Sequence, residues 1–197
     1  MSGMFQYCHN LEELNISTFD TKNVIDMSSM FLKCYNLKNI NLSSFNTENV
    51  TNMNDMFQHC YNLTTLDLSS FDTKNAINMS GMFCNCKNLI NLDLSSFNIK
   101  KVTNMSFMFS EAIKLKELNL SSFDASNVED MSYMFYKCEN LNNLNLSSFN
   151  TNNVNSIKGI FHGCQKKLID LCLYKFKQFN YEDLVANIEK KKSKKSI

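Results

Sequence analysis

A pair of apolar residues, Met-Phe in nearly every copy, recurs every 26 residues along the chain. Its phenylalanines fall, without any slip, at Phe5, Phe31, Phe57, Phe83, Phe109, Phe135 and Phe161. A fixed period between about 20 and 50 residues is typical of solenoids, in which each unit buries its apolar face only against its neighbours. The period therefore predicts a stack of similar coils. It also means that a recurring residue is expected to have a structural role before a catalytic or binding role is considered.

Composition excludes several classes of protein. The chain has 197 residues, of which 44% are hydrophobic, so it can form a folded domain and is not a disordered polymer. It contains no apolar run of about 18 residues and no visible signal peptide, so no transmembrane segment is expected. Its basic residues are all lysines. Because phosphate and base recognition favours arginine, no nucleic-acid partner is expected.

Each unit contains a strand pattern followed by a corner. Leu37, Ile40 and Leu42 have the L-x-x-I-x-L spacing of leucine-rich repeats, with Ile40 and Leu42 facing inward and Asn41 facing outward. After most strands comes Ser-Ser-Phe and then, in most units, Asp or Asn, which closes Asx-turns. The pattern predicts one strand and one corner per unit. Its last copy, one residue late, is formed by Leu168, Leu171 and Leu173.

The methionine segment of each unit has helical spacing. Met27, Met30, Phe31 and Cys34 lie at i, i+3, i+4 and i+7, which predicts a short helix of about two turns with these side chains in the core. The predicted fold class is therefore an α/β repeat. It is a leucine-rich-repeat-like solenoid of about seven units of 26 residues, with parallel strands on one side and short helices on the other.

The two ends of the chain differ from the body. Residues 1–5 reproduce residues 79–83 letter for letter, so the N-terminus begins in the middle of a repeat, and we expect a fragment of a longer protein. We expect the solenoid to span 1–176. In 177–197 we expect a capping helix over Tyr181 to Lys190 and a basic, disordered tail, whose lysines are Lys190, Lys191, Lys192, Lys194 and Lys195.

The repeat motif resembles that of a known family. Asn62 to Cys86 reads N-L-x-x-L-x-L-S-S-F-D-T-x-N-A-x-x-M-S-x-M-F-x-x-C, which is similar to the 26-residue repeat of BspA-like leucine-rich repeat surface proteins and of mycoplasma lipoproteins. The resemblance covers about residues 1–176. It implies a curved solenoid, placement at the cell surface or in the secreted fraction, and binding to host, matrix or cell-surface proteins. It implies no catalytic residues.

The cysteines and histidines offer little chemistry. Six of the eight cysteines share one repeat position, where residue 112 is alanine, so buried free thiols are favoured over disulfides between neighbouring coils or a metal site. The three histidines have different repeat offsets and are expected on the surface beside the short helices. No catalytic triad or nucleotide-binding motif is present, so we expect no enzyme activity, no metal and no cofactor.

The outward positions of the strands are the candidate ligand-binding residues, because solenoids commonly bind through a concave sheet face. Two columns run along this face: Glu13, Asn39, Thr65, Asn91, Glu117 and Asn143, and Asn15, Asn41, Asp67, Asp93, Asn119 and Asn145. The alternative is that this face is only solvated and binds no ligand, because the columns lack tyrosine, tryptophan and arginine, the residues that usually anchor protein interfaces. Asp67 and Asp93 are a further, weak candidate for calcium binding.

The sequence thus favours a non-enzymatic binding or adhesion module of a bacterial-type cell-surface protein, with host, matrix or cell-surface proteins as partners. The alternative is an intracellular or secreted scaffold that associates with itself through the solenoid ends, including the uncapped N-terminal repeat.

Overall fold

The structure is a computed structural model that describes residues 1–188. The terminal lysines that were predicted to form a disordered tail lie outside the described residues. Regular elements are few and short. They are the strands β1 (Glu13–Leu14), β2 (Asn39–Ile40), β3 (Glu117–Asn119) and β4 (Asn143–Asn145), the helices α1 (Lys166–Cys172) and α2 (Tyr181–Leu184), and a 3-10 turn at Leu173–Lys175.

The strands pair in parallel and in the register that the repeat demands. Glu13 lies opposite Asn39, and Glu117 lies opposite Asn143, each pair one repeat apart. A second parallel ladder of single bridges connects Asp26, Asn52, Asn78, Asn104, Asp130 and Ser156. The chain therefore winds as a solenoid in which each coil of 26 residues hydrogen-bonds to the next. The stretches 64–68 and 90–94 keep the alternation of buried and exposed residues but form no regular strand.

The core is a set of identical residues stacked along the solenoid axis. The phenylalanines of the repeated pair lie nearly parallel from coil to coil, with ring centroids 5.5 to 6.0 Å apart from Phe5 to Phe161. From Met27 to Met134 the methionines of the repeat are fully buried beside them, as the apolar spacing predicted, whereas Met4 in the first coil is exposed. The rings from Phe31 to Phe135 are covered on both faces by their own copies, so their burial is uniform, whereas Phe5 at the end of the stack is half-buried.

The predicted short helix at 27–34 is wrong. This segment forms consecutive tight turns, in which the Met30 amide donates to the Met27 carbonyl and the Cys34 amide donates to the Phe31 carbonyl. Ser29 and Lys33, the third residues of these turns, have φ of 55° and 61°, the left-handed conformation that a type II turn requires and an α-helix excludes.

The same two positions are left-handed in every coil. One column comprises Gly3, Ser29, Asp55, Gly81, Phe107, Tyr133 and Gly159, and the other Tyr7, Lys33, His59, Asn85, Glu111, Lys137 and Gly163. The amides that a helix would use internally instead reach the next coil, as when the Phe31 amide donates to the Met56 carbonyl and the Lys33 amide to the Gln58 carbonyl. Hydrogen bonding between coils thus replaces hydrogen bonding within a helix.

The last predicted strand, at Leu168, Leu171 and Leu173, is also wrong. Helix α1 occupies this stretch, burying Leu168 while leaving Leu171 58% exposed. This unit has one extra residue, and its buried residues follow helical spacing instead of the alternation of a strand. It therefore does not continue the 26-residue register of the coils. Of the C-terminal helix predicted over Tyr181 to Lys190, only the first turn is observed, as α2, which buries Leu184; residues 185–188 are not helical.

The α2 segment takes the place of another coil at this end of the stack. The Gly159 amide donates to the Asp183 carbonyl and the Phe161 amide to the Leu184 carbonyl, whereas in earlier coils the equivalent amides bond to the next repeat. Phe176 closes the phenylalanine stack edge-on, 5.4 Å from Phe161. The domain boundary between residues 176 and 177 stays a prediction.

Candidate binding surface

The residues of the two predicted columns all lie on the surface. Each of Glu13, Asn15, Asn39, Asn41, Thr65, Asp67, Asn91, Asp93, Glu117, Asn119, Asn143 and Asn145 is exposed, while the leucines and isoleucines between them are buried or half-buried. Parallel pairing aligns the columns along the axis, since Asn119 lies opposite Asn145. The geometry therefore brings the predicted residues together on one face. Whether that face binds a ligand stays a hypothesis.

The second column has a structural task of its own. At each member the side-chain Oδ1 accepts a hydrogen bond from the amide two residues later, for example Asn41 from Ser43 at 3.0 Å and Asp67 from Ser69 at 2.9 Å. The Asp or Asn at each corner does the same, as Asp72 does with the Lys74 amide at 3.1 Å, which confirms the predicted Asx-turns. One oxygen of each side chain in the second column is therefore already used.

The two aspartates of this column are ionised at neutral pH. The hydrogen bond from the Ser69 amide lowers the pKa of Asp67, and the corresponding bond from Ser95 lowers that of Asp93. They border a shallow depression together with serines 69, 95 and 96. Among the described residues no group of three or more His, Cys, Asp or Glu side chains is placed to share an ion, so calcium binding stays a prediction.

A wider concavity occupies the C-terminal half of the face. It is lined by Asn91, Asp93, Glu117, Asn119, Asn143 and Asn145, with Leu92 and Leu118 at its floor. Amide groups can both donate and accept, whereas the two acidic residues only accept when ionised. This surface can therefore form several hydrogen bonds with a polypeptide, but it offers no large apolar side chain as an anchor.

The cysteines are structural. All eight lie within the described residues and are free, and most are buried, as predicted. The Cys60 thiol donates to the Phe31 carbonyl at 3.2 Å, and the Cys138 thiol to the Phe109 carbonyl at 3.0 Å, so each thiol connects its coil to the previous one. Burial raises the pKa of Cys34 to about 11 and that of Cys164 to about 12, which keeps them protonated and poor nucleophiles.

Sequence reasoning overlooked a column of surface rings. His9 was treated as isolated, yet it has the same repeat offset as Tyr35, Tyr61 and Lys87. The rings of His9 and Tyr35 stack at 4.6 Å, and those of Tyr35 and Tyr61 at 4.9 Å. Comparing residues at one offset, without requiring them to be identical, would have revealed this column. The other histidines are half-buried, with His59 beside the Tyr61 hydroxyl.

Comparisons with known proteins agree with this architecture. A family model described as "Mycoplasma protein of unknown function, DUF285" matches residues 1–117 and 87–196. Among solved structures, a T. pallidum leucine-rich repeat protein, TpLRR, is similar, with a TM-score of 0.62 and 18% identity over 94% of this chain and 78% of that chain. This likeness establishes a leucine-rich repeat fold.

A leucine-rich repeat protein from Bacteroides ovatus ATCC 8483 is also similar, with a TM-score of 0.47 and 19% identity over 83% of this chain and 44% of that chain. No curated protein matches the chain significantly. No helix within residues 1–188 is both long enough and apolar enough to span a bilayer. By motif, family model and fold, the chain belongs to the DUF285 family of mycoplasma repeat proteins, and its resemblance to the BspA-like leucine-rich repeat proteins is confirmed.

Proposed function

We propose that this chain is a non-enzymatic protein-binding module of a cell-surface or secreted protein. The observation that carries the proposal is the exposed polar face held in register by a fully buried core. Phe57, Phe83 and Phe109 are completely shielded from solvent, so the coils that carry the strand columns are rigidly spaced. A rigid scaffold loses little conformational entropy on binding, which favours recognition of another protein.

The chemistry of the face supports a polar and modest interaction. Asn91, Asn119 and Asn143 present amide groups, while Asp93 and Glu117 present carboxylates. Such groups suit the hydrogen-bonding pattern of an extended backbone or of polar side chains. Leucine-rich repeat folds serve as interaction scaffolds in general, and the BspA-like resemblance extends this to adhesion to host, matrix or neighbouring cells.

The test is binding of the purified chain to immobilised extracellular-matrix proteins, measured by surface plasmon resonance. Loss of binding in an Asn119→Ala/Asn143→Ala variant would locate the contact on the strand face. A matched variant, Asn127→Ala, should bind normally, because Asn127 lies outside the strand columns. It also removes a side-chain hydrogen bond, to the Lys100 carbonyl of the previous coil, and so controls for lost stability. Absence of binding to every matrix protein tested would contradict the proposed function.

Self-association through the solenoid ends is the second candidate. Among the described residues, Met4 in the first coil is 49% exposed, whereas its equivalents in the following coils are buried. Sedimentation equilibrium decides between the two. A dimer that resists high salt and dissociates in a Met4→Asp variant, together with no matrix binding, would favour the scaffold.

A further inference from the structure

The strand face, which the two exposed columns form, carries charge of one sign only. Its charged residues are Glu13, Asp67, Asp93 and Glu117, and neither column contains a lysine or a histidine. All four side chains are exposed. The chain as a whole has a formal net charge of +1, so the negative charge of this face is a local property and does not reflect the overall charge.

The residues around the face do not cancel this charge. Of the residues that directly precede the first column, Glu12, Lys38 and Lys116 are charged, and the Lys38 ammonium is already paired with the Glu12 carboxylate at 2.7 Å. The residues that border the second column on its other side are serines and one threonine. Lys167 and Lys175 follow the last strand, roughly 14 Å along the axis from the nearer aspartate, which exceeds the screening length of about 8 Å. Lys116 is therefore the one unpaired ammonium beside the columns among residues 1–164.

Three of the carboxylates lie in successive coils. Asp67 and Asp93 share one repeat offset, which places their Cα atoms roughly 5 Å apart. The negative charge of Asp67 works to raise the pKa of Asp93, although the hydrogen bonds from Ser95 lower it overall. Glu117 follows in the next coil and lines the same concavity as Asp93. Like charges held this close repel each other, and a bound cation relieves the repulsion.

The hydrogen bonds already formed on the face decide which groups remain for a partner. Asn119 and Asn145 each use Oδ1 to accept from the serine amide two residues later, at 3.1 and 3.0 Å, which leaves Nδ2 as a donor. Asp67 and Asp93 each use one carboxylate oxygen in the same way and keep the other. Backbone carbonyls match the amide donors. The compact ammonium of lysine suits a single free oxygen, whereas the arginine fork needs two.

We propose that the strand face around Asp67, Asp93 and Glu117 binds an extended, lysine-rich segment of another polypeptide. The ammonium groups of this segment contact the three carboxylates, and its backbone carbonyls accept hydrogen bonds from Asn119 and Asn145. The inference rests on the proposed protein-binding function and adds the charge and the conformation of the partner. Complementary charge of this kind also selects against anionic partners.

The test measures binding of a fluorescent octalysine peptide to the full-length chain by fluorescence anisotropy. Octaserine is the neutral peptide, and spermine is a polycation without backbone carbonyls. Octalysine should bind, and Asp67→Asn/Asp93→Asn should weaken its binding by about fivefold or more. Glu117→Gln should weaken it by about twofold to threefold. The aspartate substitutions preserve the fold, because Asn41 and Asn119 occupy the same offset and form the same hydrogen bond.

The matched control is Asp20→Asn/Asp124→Asn. Each of these aspartates also accepts a hydrogen bond from the amide two residues later, at 3.0 and 3.2 Å, but both lie at corners outside the strand face. The control changes the net charge by the same amount as the strand-face double variant and retains the same kind of turn. It should leave octalysine binding unchanged.

Three results would overturn the proposal. Equal weakening by the two double variants would mean diffuse attraction to charge, and equal binding of octaserine would mean that charge has no role. Binding of spermine without binding of octalysine would mean a site for small cations.

Matrix binding separates this inference from the function on which it rests. If the unmodified chain binds a matrix protein, and Asn119→Ala/Asn143→Ala abolishes that binding while Asp67→Asn/Asp93→Asn leaves it intact, the lysine-rich partner alone is refuted. If the unmodified chain binds no matrix protein, the proposed function is contradicted, whatever octalysine does.

Discussion

Replacing Gly81 with alanine distinguishes the observed turns from the helix that the sequence predicts. In the middle of a helix, the change would stabilise the chain by about 1 kcal/mol, because alanine loses less backbone entropy on folding. In the structure, Gly81 has φ of +62°, where an alanine costs about 1–2 kcal/mol. The two conformations therefore predict opposite signs for the change in the free energy of unfolding.

The surroundings of Gly81 add a steric cost. A Cβ atom built there would lie 2.1 Å from Oδ1 of Asp55 in the previous coil, and Asp55 is itself held by a hydrogen bond from Asn54. Overpacking of this kind costs about 1–3 kcal/mol. Alanine also restricts the unfolded chain more than glycine does, which offsets this loss of stability by about 0.4–1 kcal/mol. We therefore expect Gly81→Ala to lower the free energy of unfolding by about 1–4 kcal/mol.

Urea denaturation followed by circular dichroism measures this difference, and two variants separate its causes. Gly3→Ala has the same φ of +62°, but its Cβ would meet only the flexible end of Gln6 at 3.1 Å, so it should lose little beyond the backbone cost. Adding Asp55→Ser to Gly81→Ala should recover the steric part, because Ser29 occupies the same repeat offset with φ of 55°. Stabilisation by Gly81→Ala would refute the turn geometry.

Three further outcomes are expected. Phe83→Ala should lower the free energy of unfolding, measured in urea, by about 3–5 kcal/mol, because the ring is fully buried. Asn91→Ala, on the exposed face, should change it by less than about 0.5 kcal/mol. Equal effects of the two substitutions would mean that the inward face is misassigned. Burial lowers the pKa of His59, so its contribution to stability is complete above the unfolded pKa of about 6.5 and is lost as pH falls below it. His59→Asn should flatten pH-dependent melting between pH 7 and 5, and an unchanged slope would contradict this. In thiol titration with Ellman's reagent, the exposed Cys8 should react fast in the native chain and the buried cysteines only in denaturant; several fast thiols would refute the burial.

The repeat register made much of the fold predictable. It placed Phe83 and the methionines in the core, and the alternation around Ile40 and Leu42 gave the outward direction of Asn41. These predictions succeeded because each position is buried against copies of itself, so a local pattern and its tertiary environment coincide. The Asx-turns succeeded for a similar reason, since an Asp or Asn side chain bonds to its own backbone two residues on.

The candidate surfaces were less predictable. The strand columns follow from alternation alone, and they lie exposed where the sequence placed them. The column of surface rings depends on contacts between unlike residues, such as His9 with Tyr35, which a search for identical repeat positions does not detect.

The sequence by itself determined the solenoid, its period of 26 residues, the residues of its core and its membership in a repeat family. Only the tertiary structure decided how the backbone of the methionine segment is hydrogen-bonded. Helical spacing at Met27, Met30 and Phe31 is equally compatible with a helix and with successive turns. The neighbouring coil settles the choice, since the Phe31 amide bonds to the Met56 carbonyl and left-handed residues turn the chain to make that possible. The sequence of a single unit does not show which carbonyl groups of the neighbouring coil will accept hydrogen bonds from its amides.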